Sequence, residues 1–259
     1  MLIFFDIDGT LLGEWSHLMP ESAAKAIAAA RHNGHVCAVN TGRTRKMVEP
    51  DLEKLKGFDA LLMGCGTMVT LHDRVLFHRT FAEKEAEEIM EALHRYGIDA
   101  VLEGSGNNFH DRIDNIRTKT FRDFVQRFAG EGYGSFREAA GRFDKFFSYV
   151  DDVAVMMEFQ KEFEDRLDFV DRKGGFFEIM PKGCSKASAM EFLADELGIS
   201  MKDTAALGDS SNDIPMLRRA NIAIAMGNAT EDVKAEADYV TTSLEEDGVW
   251  NALKWLGII

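Results

Sequence analysis

Two carboxylates stand two residues apart in Phe4-Phe5-Asp6-Ile7-Asp8-Gly9-Thr10-Leu11, at the point where an apolar run stops. Leu2 to Phe5 is short, wholly apolar and strand-like, and the Gly-Thr that follows the acids is turn chemistry. Such a run predicts a central strand buried on both faces, with Asp6 and Asp8 at its carboxyl end, where open α/β sheets place their ligands. Side chains alternate along a strand, so both acids face one crevice only if the extended backbone continues through Ile7. Two carboxylates that close repel, and either a proton or a cation must relieve them. A calcium loop is excluded, because the further acids and the closing glutamate of a twelve-residue loop are absent. A bare turn after a strand fits this motif as well, and the choice falls to the rest of the chain.

Further along, short apolar runs again end in polar groups. Pro20 to His32 is an alanine-rich helix stopped by Asn33-Gly34, and Val36 to Val39 is a second strand followed at once by Asn40-Thr41-Gly42-Arg43. A glycine admits close backbone approach, and a hydroxyl with N–H groups suits phosphate oxygens. A helix N-cap with an ordinary arginine reads equally well. Arg45 to Lys56 reads as a helix, Ala60 to Met63 as a third strand, and Met68–Leu71 with Val75–His78 as a hairpin.

From about Phe81 the pattern changes. Glu83 to Tyr96 is a charged amphipathic helix, followed by a strand at Ala100–Leu102, a Gly/Asn-rich turn over Glu103–Asn108 and a helix near Arg122–Phe128. Strand-like runs lie at Phe146–Val150, Val153–Met157 and Phe176–Ile179, with a helical stretch at Gln160–Leu167. None ends in acids as the first strand does, which sets this stretch apart as an α+β module. Past Pro181 the earlier pattern resumes. Ser185 to Leu197 is helical with Lys186 in its first turn, against the dipole preference, as an anion held at that end or simple solvation would explain. Thr204 to Leu207 is a strand followed by Gly208-Asp209-Ser210-Ser211-Asn212-Asp213, then a brief helix from Pro215 to Arg219, a strand at Asn221–Ala225, a helix at Ala229–Ala237, a strand at Tyr239-Val240 and a terminal helix at Val249–Leu256.

Asp6/Asp8, Thr41-Gly42, Lys186 and Asp209 with Asn212/Asp213 thus all fall at the carboxyl edge of one doubly wound, mostly parallel, Rossmann-like α/β sheet. The order DxDGT, TGR, a lone Lys opening a helix, then GDxxND resembles the haloacid dehalogenase (HAD) superfamily of aspartate-nucleophile phosphatases. Glu178-Ile179 through Lys186, Ala225-Met226-Gly227-Asn228-Ala229 and Asp247-Gly248-Val249 resemble its Cof-type branch, which carries a large C2-type cap. The chain departs from that pattern at Cys65-Gly66-Thr67 and at Ser210-Ser211.

The resemblance implies a catalytic core of residues 1–81 and 184–259 and a mobile cap of 82–183 that closes over substrate and sets specificity. It implies a phosphoric monoester hydrolase in which Asp6 is the nucleophile and Asp8 the general acid and base. Mg²⁺ would be held by Asp6, the Asp8 carbonyl and Asp209, with Asp213 orienting a bound water. Gly9, Thr41, Gly42, Lys186 and Asn212 would hold the phosphoryl group, and Arg43 would reach substrate or brace its loop. His110, Arg112, Arg117 and Glu178 are cap candidates for specificity. The expected substrate is a small phosphorylated metabolite, sugar phosphates first. The same motifs serve a phosphomutase or phosphotransferase, and the same scaffold could serve a non-catalytic phosphometabolite-binding protein.

Bulk composition sets the partners. With 44 acids against 30 bases, a formal charge of −14 argues against a nucleic-acid footprint. No apolar run approaches membrane-spanning length and the start does not resemble a secretory signal. Three scattered cysteines, Cys37, Cys65 and Cys184, suggest reduced thiols in a cytoplasm. A monomer or weak homodimer is expected.

Overall fold

The computed structural model describes every residue except 14, 15, 111–115, 117 and 129–132. The chain packs as two compact units, one of Met1–Arg43, Val48–Phe77 and Ser185–Ile259, the other of Thr44–Met47 and His78–Cys184.

In chain order come β1 (Leu2–Phe5), α1 (Glu21–His32), β2 (Val36–Asn40), α2 (Arg45–Val48, its first three residues belonging to the second unit), β3 (Ala60–Met63), β4 (Met68–Leu71) and β5 (Arg74–His78), the strands all of the first unit up to Phe77. The second unit follows with α3 (Glu83–Tyr96), β6 (Asp99–Glu103), β7 (Asn108–His110), α4 (Lys119–Phe128), β8 (Gly134–Ser135), β9 (Lys145–Tyr149), α5 (Val153–Phe163), β10 (Leu167–Asp171) and β11 (Phe176–Pro181). The first unit is completed by α6 (Lys186–Leu197), β12 (Thr204–Gly208), α7 (Ile214–Arg219), β13 (Ile222–Ala225), α8 (Glu231–Lys234), β14 (Tyr239–Val240) and α9 (Gly248–Trp255).

The first unit's sheet runs β14-β13-β12-β1-β2-β3-β4-β5, parallel from β14 to β3, with β4 antiparallel to β3. Leu2–Phe5 is fully buried, as a two-sided central strand requires. Ile3 and Phe5 join one core with Ala23, Ala26, Ile27 and Ala30 of α1 and Val249, Ala252 and Leu253 of α9. Leu2 and Phe4 join the opposite core with Ala189, Met190 and Leu193 of α6, Met216 and Leu217 of α7 and Val233 of α8. The sheet is therefore wound on both faces. The chain leaves β1 for β2 on one side while β12 lies on the other, so the strand order reverses at the carboxyl ends of β1 and β12, where such sheets open a crevice.

The second unit has its own sheet, β10-β11-β9-β6-β7-β8. All its described pairings are antiparallel except β7 with β8. One face carries a core of Ala86, Ile89 and Leu93 from α3 and Met156, Phe159 and Phe163 from α5. The other carries Val101 with Phe121 and Val125 of α4.

Several local expectations are corrected. Val153–Met157 is not a strand but the first half of α5, because Asp152 caps the helix by accepting from the Ala154 N–H at 2.9 Å and Met156, Phe159 and Phe163 share its buried face. The helix stops at Phe163, and Leu167–Asp171 is a strand rather than a helix end. Arg45–Lys56 is not one helix. The α-helical turn ends at Val48, and Pro50 sits in a 3₁₀ turn over Glu49–Asp51 because proline disfavours α-helical backbone in the residue before it. The helix expected over Ala229–Ala237 is the single turn Glu231–Lys234.

Candidate active site

The first strand's ladder continues one residue past β1: the Asp6 N–H donates to Leu207 O at 3.1 Å. The backbone then folds back, with Ile7 O accepting from the N–H groups of Leu11 (2.9 Å) and Leu12 (2.8 Å). Extension does not persist through Ile7, so Asp6 and Asp8 do not share the simple alternation of a strand. Gly9 sits in this turn at φ +77°, and a Cβ there would lie 2.3 Å from Asp209 Oδ2. Both the left-handed backbone and the approach of Asp209 thus require glycine. Thr10 Oγ1 donates to Asp209 Oδ1 at 3.3 Å, and Asn228 Nδ2 holds Gly9 O at 2.9 Å.

From the neighbouring strand, Gly208 delivers Asp209, and Ser210-Ser211-Asn212-Asp213 turns back over it. Asp213 is fully buried, and its Oδ2 accepts from the N–H groups of Asp209 and Ser210, both at 2.9 Å. A Cβ at Gly208 would come within 2.6 Å of Asp213 Cβ, which explains that glycine. Ser185 caps α6 by accepting from the Ser188 N–H at 3.0 Å, and Lys186 follows as the first helical residue. Only 2% exposed, Lys186 donates from Nζ to Asp6 Oδ1 at 2.6 Å and Asp213 Oδ1 at 2.5 Å. Its carbonyl accepts from Asn40 Nδ2 at 2.9 Å, tying α6 to the end of β2. A Cβ at Gly66 would lie 2.3 Å from Ser185 O, so the Gly64–Gly66 turn lets the helix start pack tightly. That turn holds Cys65 in a left-handed conformation, φ +52°.

Charge is out of balance here. Burial, and next the Asp213 carboxylate, push Asp6 well above the usual carboxylate range, with Lys186 opposing. Burial and Asp213 push Asp209 up to about 7, again against Lys186. The Lys186 ammonium is held above its ordinary value because Asp213 and Asp6 outweigh its own burial. Oxygens of Asp6, Asp209 and Asp213 lie within 4.8 Å of one another. An all-oxygen donor set with surplus negative charge fits a hard divalent cation such as Mg²⁺. Asp213, with both oxygens already engaged by Lys186 and two N–H groups, is better placed to hold the others than to give up an oxygen of its own.

The remaining sequence candidates separate. Asp8 turns its carboxylate to Arg43, whose Nε (2.8 Å) and Nη2 donate to its two oxygens. Arg43 also donates from Nη1 to Asp51 Oδ2 at 2.8 Å, so of its two expected uses the structure displays the brace. Thr41 is buried at the end of β2, where its N–H donates to Leu62 O at 2.8 Å and its Oγ1 accepts from the Arg43 N–H at 3.2 Å. Gly42 is buried beside it. Asn212 Oδ1 accepts from Ser210 Oγ at 2.7 Å. In the second unit, Glu178 is buried between Lys145 (3.0 Å) and Arg172 (2.5 Å), while the ring of His110 lies 5.9 Å from that of Tyr133. Arg112 and Arg117 lie outside the described residues. Sequence reasoning missed Asp51, Thr10 and Asn228. The Thr10 hydroxyl two residues after Asp8 was a usable signal, whereas Asp51, behind Pro50, gave none.

Comparison with known proteins adds a family match, two relatives and two solved structures. The family model described as haloacid dehalogenase-like hydrolase matches residues 3–253. Phosphatase YwpJ of Bacillus subtilis (strain 168) is 31% identical over 286 residues, covering 98% of this chain and 99% of its own. The 5-amino-6-(5-phospho-D-ribitylamino)uracil phosphatase YcsE of the same strain is 28% identical, covering 98% and 94%. Among solved structures, a sugar phosphatase of HAD subclass IIB superposes with a TM-score of 0.83 at 26% identity, covering 100% of this chain and 99% of that one. A phosphatase of the superfamily from Bacteroides thetaiotaomicron gives 0.86 at 25% identity, covering 100% and 95%.

Proposed function

Because this chain belongs to the haloacid dehalogenase-like hydrolases and is a phosphoric monoester hydrolase, we propose that it cleaves small phosphorylated metabolites, sugar phosphates foremost, through a magnesium-dependent reaction on Asp6. The observation that carries this reading is the meeting, at the carboxyl ends of β1 and β12, of Asp6, Asp209 and Asp213 within 4.8 Å, with Lys186 Nζ 2.6 Å from Asp6.

Asp6 attacks phosphorus, the bond from phosphorus to the ester oxygen breaks, and the departing oxygen takes a proton from the Asp8 carboxyl. This leaves an aspartyl-phosphate and a free alcohol. A water then adds at phosphorus and gives its proton to the Asp8 carboxylate, the bond from phosphorus to Asp6 breaks, and inorganic phosphate leaves with Asp6 restored. Lys186 fixes the direction of Asp6 and offers positive charge to the transferring oxygens. Thr41, the Gly42 N–H and Asn212 are further phosphoryl donors, and Gly9 lets the phosphate approach the turn. Asp6, Asp209 and the Asp8 carbonyl, with Asp213 in support, would hold Mg²⁺, whose charge would offset the carboxylates that otherwise repel a phosphate dianion. The unit of residues 78–184 supplies the specificity contacts in this reading, and Cys37, Cys65 and Cys184, all buried and outside disulfides, suit a reducing cytoplasm.

The test is direct. Asp6→Asn lowers turnover by at least about a thousandfold while the thermal midpoint stays within a few degrees. Acid-quenched wild-type protein carries substrate-derived phosphate on Asp6, chelation stops release of inorganic phosphate, and added Mg²⁺ restores it. An Asp6→Asn protein with undiminished hydrolysis overturns the assignment. A panel of phosphorylated sugars, nucleotides and cofactors then ranks the substrates, with release of phosphate in the absence of any second alcohol marking hydrolysis rather than transfer.

A further inference from the structure

The reaction just described assigns Asp8 its proton and leaves a buried carboxylate nearby without a task. Asp51 lies in the 3₁₀ turn Glu49–Asp51 with its side chain only 4% exposed. Its Oδ2 accepts from Arg43 Nη1 at 2.8 Å and its Oδ1 from Lys54 Nζ at 2.5 Å, with His17 Nδ1 3.5 Å away. Arg43 in turn spends its other edge, Nε and Nη2, on the two oxygens of Asp8. The guanidinium thus sits between two carboxylates, one buried and pinned, the other with a side chain 38% exposed. A planar fork that meets a carboxylate through two donors fixes both its position and its plane. The main chain of the same arginine is also held, its carbonyl by the Gly64 N–H at 2.8 Å and its N–H by Thr41 Oγ1 at 3.2 Å.

We propose that Asp51 is a positioning residue for the reaction: it orients the Arg43 guanidinium, which, keeping one Asp8 oxygen and releasing the other, aims that second oxygen, protonated in the reactive form, toward the departing ester oxygen. This rests on the reading of Asp8 as the group that protonates that oxygen. Arg43 is then a brace and not a phosphate ligand. A misdirected Asp8 harms only esters whose leaving oxygen needs a proton, because proton transfer demands close geometry between donor and acceptor.

The experiment compares kcat/KM for an alkyl phosphate with kcat/KM for p-nitrophenyl phosphate, whose phenolate departs without a proton. Both constants report the steps through transfer to Asp6. Wild type, Asp8→Asn, Asp51→Asn and Arg43→Lys are measured with Mg²⁺, each with its thermal midpoint. We expect Asp51→Asn and Arg43→Lys to lower the alkyl value by tenfold or more and the p-nitrophenyl value by less than threefold, the same selective pattern as Asp8→Asn. The conservative Arg43→Lys keeps the charge and removes the fork, so it carries the test if Asp51→Asn fails to fold. Equal losses on both esters, with a raised KM, make Arg43 a phosphate ligand and overturn the inference. So does an unchanged ratio in both variants. If Asp8→Asn itself shows no preference between the esters, the assignment of Asp8 fails, which is a different outcome from selective loss in Asp8→Asn alone, where only the role of Asp51 and Arg43 falls.

Discussion

At the residue scale the raised carboxyls set a pH dependence whose sign can be worked out. Asp209 titrates near 7 in the folded chain and near the ordinary carboxylate value when unfolded, so the folded state holds the extra proton. Its contribution to stability is complete below the unfolded value and lost as pH rises toward 7, on the order of 1–3 kcal/mol after allowance for coupling. Metal-free protein is therefore expected to melt higher at pH 5 than at pH 8, and Asp209→Asn to raise the midpoint at pH 8, both by calorimetry. Since a cation must displace that proton, apparent Mg²⁺ affinity should climb between pH 5 and 7 and level off above, as titration calorimetry would record. Gly9→Ala offers a sharper case: strain from φ +77° costs about 1–2 kcal/mol, and the methyl would meet Asp209 Oδ2 at 2.3 Å. Mg²⁺ binding and turnover should fall by more than about a hundredfold, well beyond what the change in midpoint accounts for.

At the scale of elements, the readable signals were those that interrupt a periodic run. Asp6 and Asp209 end apolar strands, and Lys186 opens a helix behind Ser185. Asp51 ends nothing; it lies in a turn forced by Pro50, and only the fold brings it to Arg43. Val153–Met157 misled because five consecutive apolar residues look like a strand, when the deciding group was the Asp152 cap just before them. Strand β7, three residues long, is too short to show any period, and only its first residue, Asn108, falls in the turn expected over Glu103–Asn108. Caps that place functional groups should matter twice. Ser185→Ala is expected to cost about 1 kcal/mol in denaturant unfolding. By loosening the first turn of α6 it should also lower kcat further than Ala substitution at Ser200, which accepts from Lys202 N–H at 3.2 Å in a turn apart from the carboxylates.

Taken as a whole molecule, the chain carries two compact units, each with its own hydrophobic clusters and its own buried ion network. In the second unit Lys145 bridges Glu103 (3.1 Å) and Glu178 (3.0 Å), with all three side chains less than a tenth exposed. Burial pushes Glu103 above its ordinary value in spite of Lys145. Removing that ammonium strands Glu103 and leaves Glu178 to Arg172 alone, so Lys145→Met is expected to destabilise its unit by about 3–5 kcal/mol. Scanning calorimetry should then show the two units apart: Lys145→Met lowers one transition, and Mg²⁺ raises the other, which belongs to the unit holding Asp6 and Asp209. A single transition moving as one under both changes would contradict separate unfolding of the two units.

The burial of Lys186 has a consequence for reagents. An amine gripped by two acids and shut off from solvent has no lone pair to offer, so acylating labels that modify surface amines within minutes should spare it. Asp213→Asn would free it in part, and the rate at which that single side chain becomes labelled would serve as a clock for how often the cluster opens.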